Sequence, residues 1–171
     1  SQRNELAIFK RNLATGELTF LNQRWYGPGM ARDAKISPDG RHLYVSVNEG
    51  RGNNNEMISI YARDNSTGEL TFVEDFQSTE WYGATEITIA PNGIDVYSGL
   101  RGPVTTYGAF AMLTRSPETG LLTLRESFTS WTDIQGMSSQ GQIALSPDGR
   151  FVYVTDPRMD GIATFATGRR N

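Results

Sequence analysis

The sequence predicts an all-β fold: a partial β-propeller of three four-stranded antiparallel blade repeats of about 52 residues, plus one surplus strand. Three observations lead there. A Thr-Gly turn recurs in Ala14–Phe20, Ser66–Phe72 and Glu118–Leu124, with Gly16, Gly68 and Gly120 spaced 52 residues apart. The strand before that turn keeps the same period, at Phe9, Tyr61, Leu113 and Phe165. A second turn, Pro38-Asp39-Gly40, Pro91-Asn92-Gly93 or Pro147-Asp148-Gly149, precedes a strand that carries Tyr44, Tyr97 or Tyr153. Its spacing drifts from 53 to 56 residues, so the variation in length falls in loops. A period near 50 with four strands fits a propeller blade, whereas solenoid repeats usually carry one or two strands or a helix.

Each element follows from its residues. The innermost strands are predicted at 33–37, 86–90 and 142–146, and the second strands at 42–47, 95–98 and 151–155. The third strands are predicted at 6–10, 57–61, 110–114 and 162–166, and the outermost at 18–21, 70–73 and 122–125. Alternation such as Met57, Ser59, Tyr61 against Ile58, Ile60 suits two-faced strands rich in β-branched and aromatic residues. In Pro-Asp-Gly, proline presets φ and glycine accepts a positive φ. The whole chain, 1–171, reads as one propeller segment with repeats at about 6–56, 57–108 and 109–160 and a terminal strand at 161–167.

Composition removes several function classes. The 16 basic and 19 acidic residues are scattered, so no basic stripe exists to neutralise phosphates and no nucleic acid partner is expected. No apolar stretch approaches the ~20 residues that span a bilayer. With no cysteine there are no disulfides, thiol nucleophiles or cysteine-ligated zinc. The chain opens at Ser1 with no initiator methionine or signal peptide, as expected after removal of a leader or excision from a longer protein. The compartment stays open, an extracellular one being slightly favoured.

Strand order exposes an assembly problem. From the N-terminus come strands three and four, two complete sets of four, then strands one to three. Three blades cannot close a ring, and incomplete blades leave strand edges and apolar flanks that invite pairing. The chain is therefore expected to associate with itself, most simply as a six-bladed dimer, or with other propeller blades.

Variable loops on a rigid scaffold are the usual place for recognition. The blade-to-blade loops hold Trp25 with Tyr26, Trp81 with Tyr82, and Trp131; the other long loops hold Arg51, Arg101 and Arg158. Trp offers a flat face to a sugar ring and Arg a planar fork to a carboxylate or sulfate, so these eight residues are candidate ligand-binding positions for a glycan. Packing between blades is the competing reading for the tryptophans. The polar loop 48–56 reads as a surface loop, with calcium binding through Glu49 or Glu56 as its alternative.

The stretch from Arg41 through Phe72, with Arg41-His42-Leu43-Tyr44-Val45-Ser46 at its start, resembles the lactonase-type propeller family. That family includes 6-phosphogluconolactonase and muconate-cyclising enzymes. Phe151-Val152-Tyr153-Val154-Thr155-Asp156 is similar to the related repeats named for a Tyr-Val-Thr-Asn motif. The resemblance implies a seven-bladed ring with histidine, arginine and acidic residues near the start of the innermost strands. The corresponding positions are Asp33, Glu86 and Gln142, with Arg32 beside the first, so Arg32, Asp33 and Glu86 are the catalytic candidates. A carboxylate and an arginine there would serve as base and anion clamp for lactone opening. The sole histidine, His42, falls in the Pro-Asp-Gly-Arg-His stretch and is expected on the surface, away from the channel. No cofactor is expected; a divalent cation held by Asp33 and Glu86 is the alternative. On these grounds a non-catalytic binding or assembly module, with a carbohydrate or partner protein as ligand, is favoured. A lactonase-like enzyme segment and a purely structural ring subunit are the alternatives.

Overall fold

A computed structural model describes residues 5–25, 30–48, 56–77, 83–101, 108–129, 141–156, 158 and 160–167. Its thirteen strands are β1 (Glu5–Arg11), β2 (Leu18–Trp25), β3 (Met30–Ile36), β4 (His42–Asn48), β5 (Glu56–Arg63), β6 (Leu70–Gln77), β7 (Ala84–Ile89), β8 (Asp95–Arg101), β9 (Gly108–Arg115), β10 (Leu122–Thr129), β11 (Ile143–Leu145), β12 (Phe151–Asp156) and β13 (Gly161–Ala166). They form four antiparallel sheets: β1-β2, β3-β4-β5-β6, β7-β8-β9-β10 and β11-β12-β13. These are the predicted half blade, two complete blades (here the first and second) and a three-stranded third blade. Among the described residues no helix is long and apolar enough to cross a membrane.

Both turn types need the left-handed backbone that glycine adopts without a Cβ penalty. Gly16, Gly68 and Gly120 each sit at φ +80°, and Gly40, Gly93 and Gly149 at +74°, +69° and +69°. Most strands run further than their sequence pattern suggested, whereas β11 is shorter than the expected 142–146. Trp25 and Arg101, expected in loops, are the last residues of β2 and β8, opposite Glu5 and Gly108. Ladder hydrogen bonds carry each hairpin past its apolar core residues, a gain that side-chain alternation does not report.

Apolar cores lie between sheets. Tyr44, Ile58 and Ile60 of the first blade pack on Ile87, Val96 and Leu113 of the second. Tyr97 and Phe110 pack on Val152, Val154 and Phe165 of the third blade, with Phe110 and Phe165 stacked at 5.0 Å. Leu6 and Ile8 of β1 cover Val45, Tyr61 and Leu70. Both ends of the arc stay bare: Phe9 and Phe20 are 50% and 52% exposed at one, Tyr153 and Ile162 38% and 70% at the other.

Candidate functional site

The innermost strands β3, β7 and β11 are where blades converge. In β3 and β7 the register slips between Ala31 and Asp33 and between Ala84 and Glu86. Each slip is a bulge that bends the strand just before an acidic side chain. Asp33 and Glu86 then occupy matching positions, opposite Ser46 and Gly99. Neither carboxylate is idle. Asp33 Oδ2 accepts the Ile87 N–H at 3.2 Å, and Glu86 Oε2 accepts the Ile143 N–H at 2.9 Å. Each acid thus ties its own innermost strand to that of the following blade, a structural use that the sequence reading did not include.

Asp33 Oδ1 also takes the Ala34 N–H at 2.8 Å and an ion pair from Lys35 Nζ at 2.9 Å. Lys35 was missed as a candidate. Its signal is strand alternation, since residues i and i+2 share a face. Burial pushes the Glu86 carboxyl up; the Ile143 N–H opposes this, nearby Asp33 adds to it, and Lys35 opposes it more weakly. Asp33, Lys35 and Glu86 therefore form one electrostatic unit on adjacent innermost strands. Arg32 is exposed at the β3 bulge. No group of three or more potential metal ligands occurs among the described residues.

A second polar cluster lies on the face with the Pro-Asp-Gly turns. Arg115, at the end of β9, is 2% exposed. Its guanidinium donates to Tyr44 Oη at 2.9 Å, Gly93 C=O at 2.7 Å and Asp39 Oδ2 at 2.8 Å, and meets His42 Nδ1 at 2.7 Å. Tyr44 Oη in turn donates to the Gly120 carbonyl at 2.7 Å. His42 is 4% exposed, which corrects its expected surface position. The neighbouring blade covers it, and only the contact between blades reveals that.

Because Arg115 donates to Nδ1, His42 is held neutral. Burial first, and the guanidinium second, depress its pKa. A histidine whose folded pKa is lowered binds its proton more readily when unfolded, so stability falls as pH drops below about 6.5. The expected slope is at most about 1.4 kcal/mol per pH unit. His42→Asn keeps an acceptor for Arg115 and removes the titration. Glu86, with its raised pKa, acts in the opposite sense, so the informative quantity is the difference between wild type and His42→Asn. Urea unfolding between pH 5 and 7 should show a flatter profile for the variant.

Of the ligand-face candidates, Arg158 is exposed in the β12–β13 turn, its N–H on Asp156 Oδ1 at 2.8 Å. Trp25 and Arg101 are described in backbone only, at strand ends. Tyr26, Arg51, Trp81, Tyr82 and Trp131 lie outside the described residues, as does most of loop 48–56.

With this geometry in hand, the chain can be set beside known proteins. Residues 1–81 match the family model described as lactonase, 7-bladed beta-propeller. The chain is a segment of lactonase-type propeller fold. A candidate 6-phosphogluconolactonase of Bacteroides uniformis superposes with a TM-score of 0.77 at 14% identity, over 96% of this chain and 44% of that one. The periplasmic gluconolactonase PpgL of Pseudomonas aeruginosa gives 0.68 at 19%, over 95% and 44%. Hydrazine synthase of Kuenenia stuttgartiensis gives 0.65 at 17%, over 94% and 46%. The chain thus spans less than half the length of the solved structures it matches. At such identities the likeness concerns the fold alone, and the hydrazine synthase match has a very different name. No curated protein matches.

Proposed function

We propose that this lactonase-type segment supplies part of the channel site of a lactone hydrolase, with Glu86 as general base and Lys35 as anion holder. The observation that carries this reading is the Glu86 carboxylate, which is pushed up in pKa beside Asp33 and Lys35 at the start of an innermost strand. The likeness to sugar lactonases favours this alternative over a non-catalytic binding module, for which no comparison speaks.

The chemistry is economical. Glu86 takes a proton from water as the water oxygen bonds to the lactone carbonyl carbon. The ring C–O bond then breaks, and the departing oxygen receives the proton held by Glu86. A raised pKa brings a carboxylate nearer the operating pH and makes it a better base. Lys35 and the exposed Arg32 would hold the carboxylate or phosphate of a sugar acid. Asp33, with both oxygens already engaged, orients Lys35 and the Ile87 backbone.

Sugar-lactone hydrolysis by the assembled protein tests this. Glu86→Gln keeps an amide oxygen for the Ile143 N–H, so the blades stay joined while the base is lost. The expected result is a 10²–10⁴-fold fall in kcat, the usual range for a general base. Unchanged turnover in the folded variant would reject the assignment. Lys35→Met should raise KM for a phosphorylated lactone and leave that for an uncharged one nearly unchanged.

A further inference from the structure

Glu86 follows a bulge, and a bulge leaves one residue without a ladder partner. That residue is Thr85, since Ala84 pairs with Leu100 and Glu86 with Gly99. Backbone carbonyls so placed need partners from outside the ladder. Two serines, Ser46 on β4 and Ser98 on β8, reach this stretch, and both are 0% exposed. Ser98 Oγ donates to the Glu86 carbonyl at 2.8 Å and lies 3.2 Å from the Gly99 carbonyl. Ser46 Oγ, from the preceding blade, lies between the Asp33 and Thr85 carbonyls, at 3.3 and 3.5 Å.

The Thr85 and Glu86 carbonyls belong to the two peptide planes that flank the Glu86 Cα. Because each plane is rigid, only φ and ψ of Glu86 lie between them, so holding both planes fixes where its side chain points. The second plane is gripped from both sides, because its N–H, that of Ile87, donates to Asp33 Oδ2 at 3.2 Å. A second-strand hydroxyl on the backbone of this position recurs in the other blades. Ser46 meets the Asp33 carbonyl, and Thr155 Oγ1 accepts the Gln142 N–H at 2.8 Å. Ser46 and Thr155 each stand eight residues after the proline of their Pro-Asp-Gly turn. In the second blade Gly99 holds that place, and Ser98 beside it carries the hydroxyl instead. Among the described residues, Glu86 is the one of the three held through both flanking carbonyls.

We propose that Ser98 and Ser46 are positioning residues for the Glu86 carboxylate: hydroxyls from two blades lock the backbone on either side of it and hold the side chain half-buried against the Ile143 N–H. The catalytic consequence rests on the hydrolase reading above; the clamp itself does not. Ser98 braces the general base, whereas Ser46 also braces Asp33, the partner of Lys35. The two serines should therefore separate kinetically. Ser98→Ala is expected to lower kcat roughly 10- to 100-fold, the scale of a small misplacement of a reacting group, with KM for a phosphorylated lactone near that of wild type. Ser46→Ala should change both. Without the clamp the carboxyl can swing toward water. Burial is the largest cause of its raised pKa, so its titration should move down toward the ordinary carboxylate range, and the acid limb of kcat/KM with it.

Carbon-13 NMR of the full chain, labelled at its glutamate carboxyls, follows Glu86 directly, and the spectrum of Glu86→Gln assigns its resonance. The titration midpoint is expected to fall in Ser98→Ala and in Ser46→Ala. It should stay at the wild-type position in Ser59→Ala, which removes a hydroxyl that is 1% exposed and makes no hydrogen bond among the described residues. Should Ser98→Ala not fold by circular dichroism, Ser46→Ala carries the same comparison. A midpoint that stays or rises in the folded clamp variants would overturn the proposal whatever the rates show, and so would an equal fall in Ser59→Ala. The expected shifts without any lactone hydrolysis by wild type would overturn the hydrolase reading and leave the clamp standing.

Discussion

Replacing Arg115 by methionine is expected to destabilise the protein by about 2–4 kcal/mol, because one buried guanidinium serves several buried acceptors, each costly to leave unmet. The loss strands several groups together. Asp39 loses its cation, and Tyr44 Oη, His42 Nδ1 and the Gly93 carbonyl each lose a donor within 2.9 Å. Unmet buried acceptors cost more than the bonds return when made. Arg63→Met makes the control. It removes the same residue type from the same position one repeat earlier, but from a partly exposed site, where about 1 kcal/mol or less is expected. Urea unfolding at pH 7 and one fixed protein concentration measures both. Equal losses would show that burial between the blades is not what gives Arg115 its weight.

The second large effect is expected from a single methyl group. Gly68 and Gly120 share φ +80°, so alanine at either pays the left-handed backbone cost of about 1–2 kcal/mol. Their surroundings differ. At Gly68 an added Cβ would lie 4.0 Å from Ile8 Cγ2, an ordinary contact. At Gly120 it would run into the His42 ring, 2.7 Å from Nε2 and closer still to Cδ2. That ring is pinned by Arg115 and cannot yield cheaply, so overpacking adds about 1–3 kcal/mol more. Gly120→Ala should therefore melt well below Gly68→Ala. In a His42→Ala background the gap between the two should largely close, which a double-mutant cycle would measure. A gap that persists there would place the strain elsewhere.

These two sites mark the limit of what the repeat discloses. Gly16, Gly68 and Gly120 are indistinguishable by motif, and the left-handed backbone expected of them occurs at all three. That only Gly120 lies under an imidazole depends on His42, which comes from another blade. Arg11, Arg63 and Arg115 likewise share a register, yet only Arg115 has a complete preceding blade to bury it. At the innermost strands, Asp33 and Glu86 were legible as acids at the start of β3 and β7. Their hydrogen bonds to Ile87 and Ile143 were not, because each crosses between sheets more than 50 residues apart in sequence.

Taken alone, the sequence determined the all-β class, the thirteen strands and their order in the blades, the glycine turns and the unfinished blade at each end. All of these follow from short-range turn chemistry and a fixed period, which act along the chain. The tertiary structure decided which groups meet across the gaps between blades: His42 beneath Arg115, and Asp33 and Glu86 on the backbone of the next innermost strand. Such contacts depend on the twist and spacing of whole sheets, and no local spacing of residues encodes them.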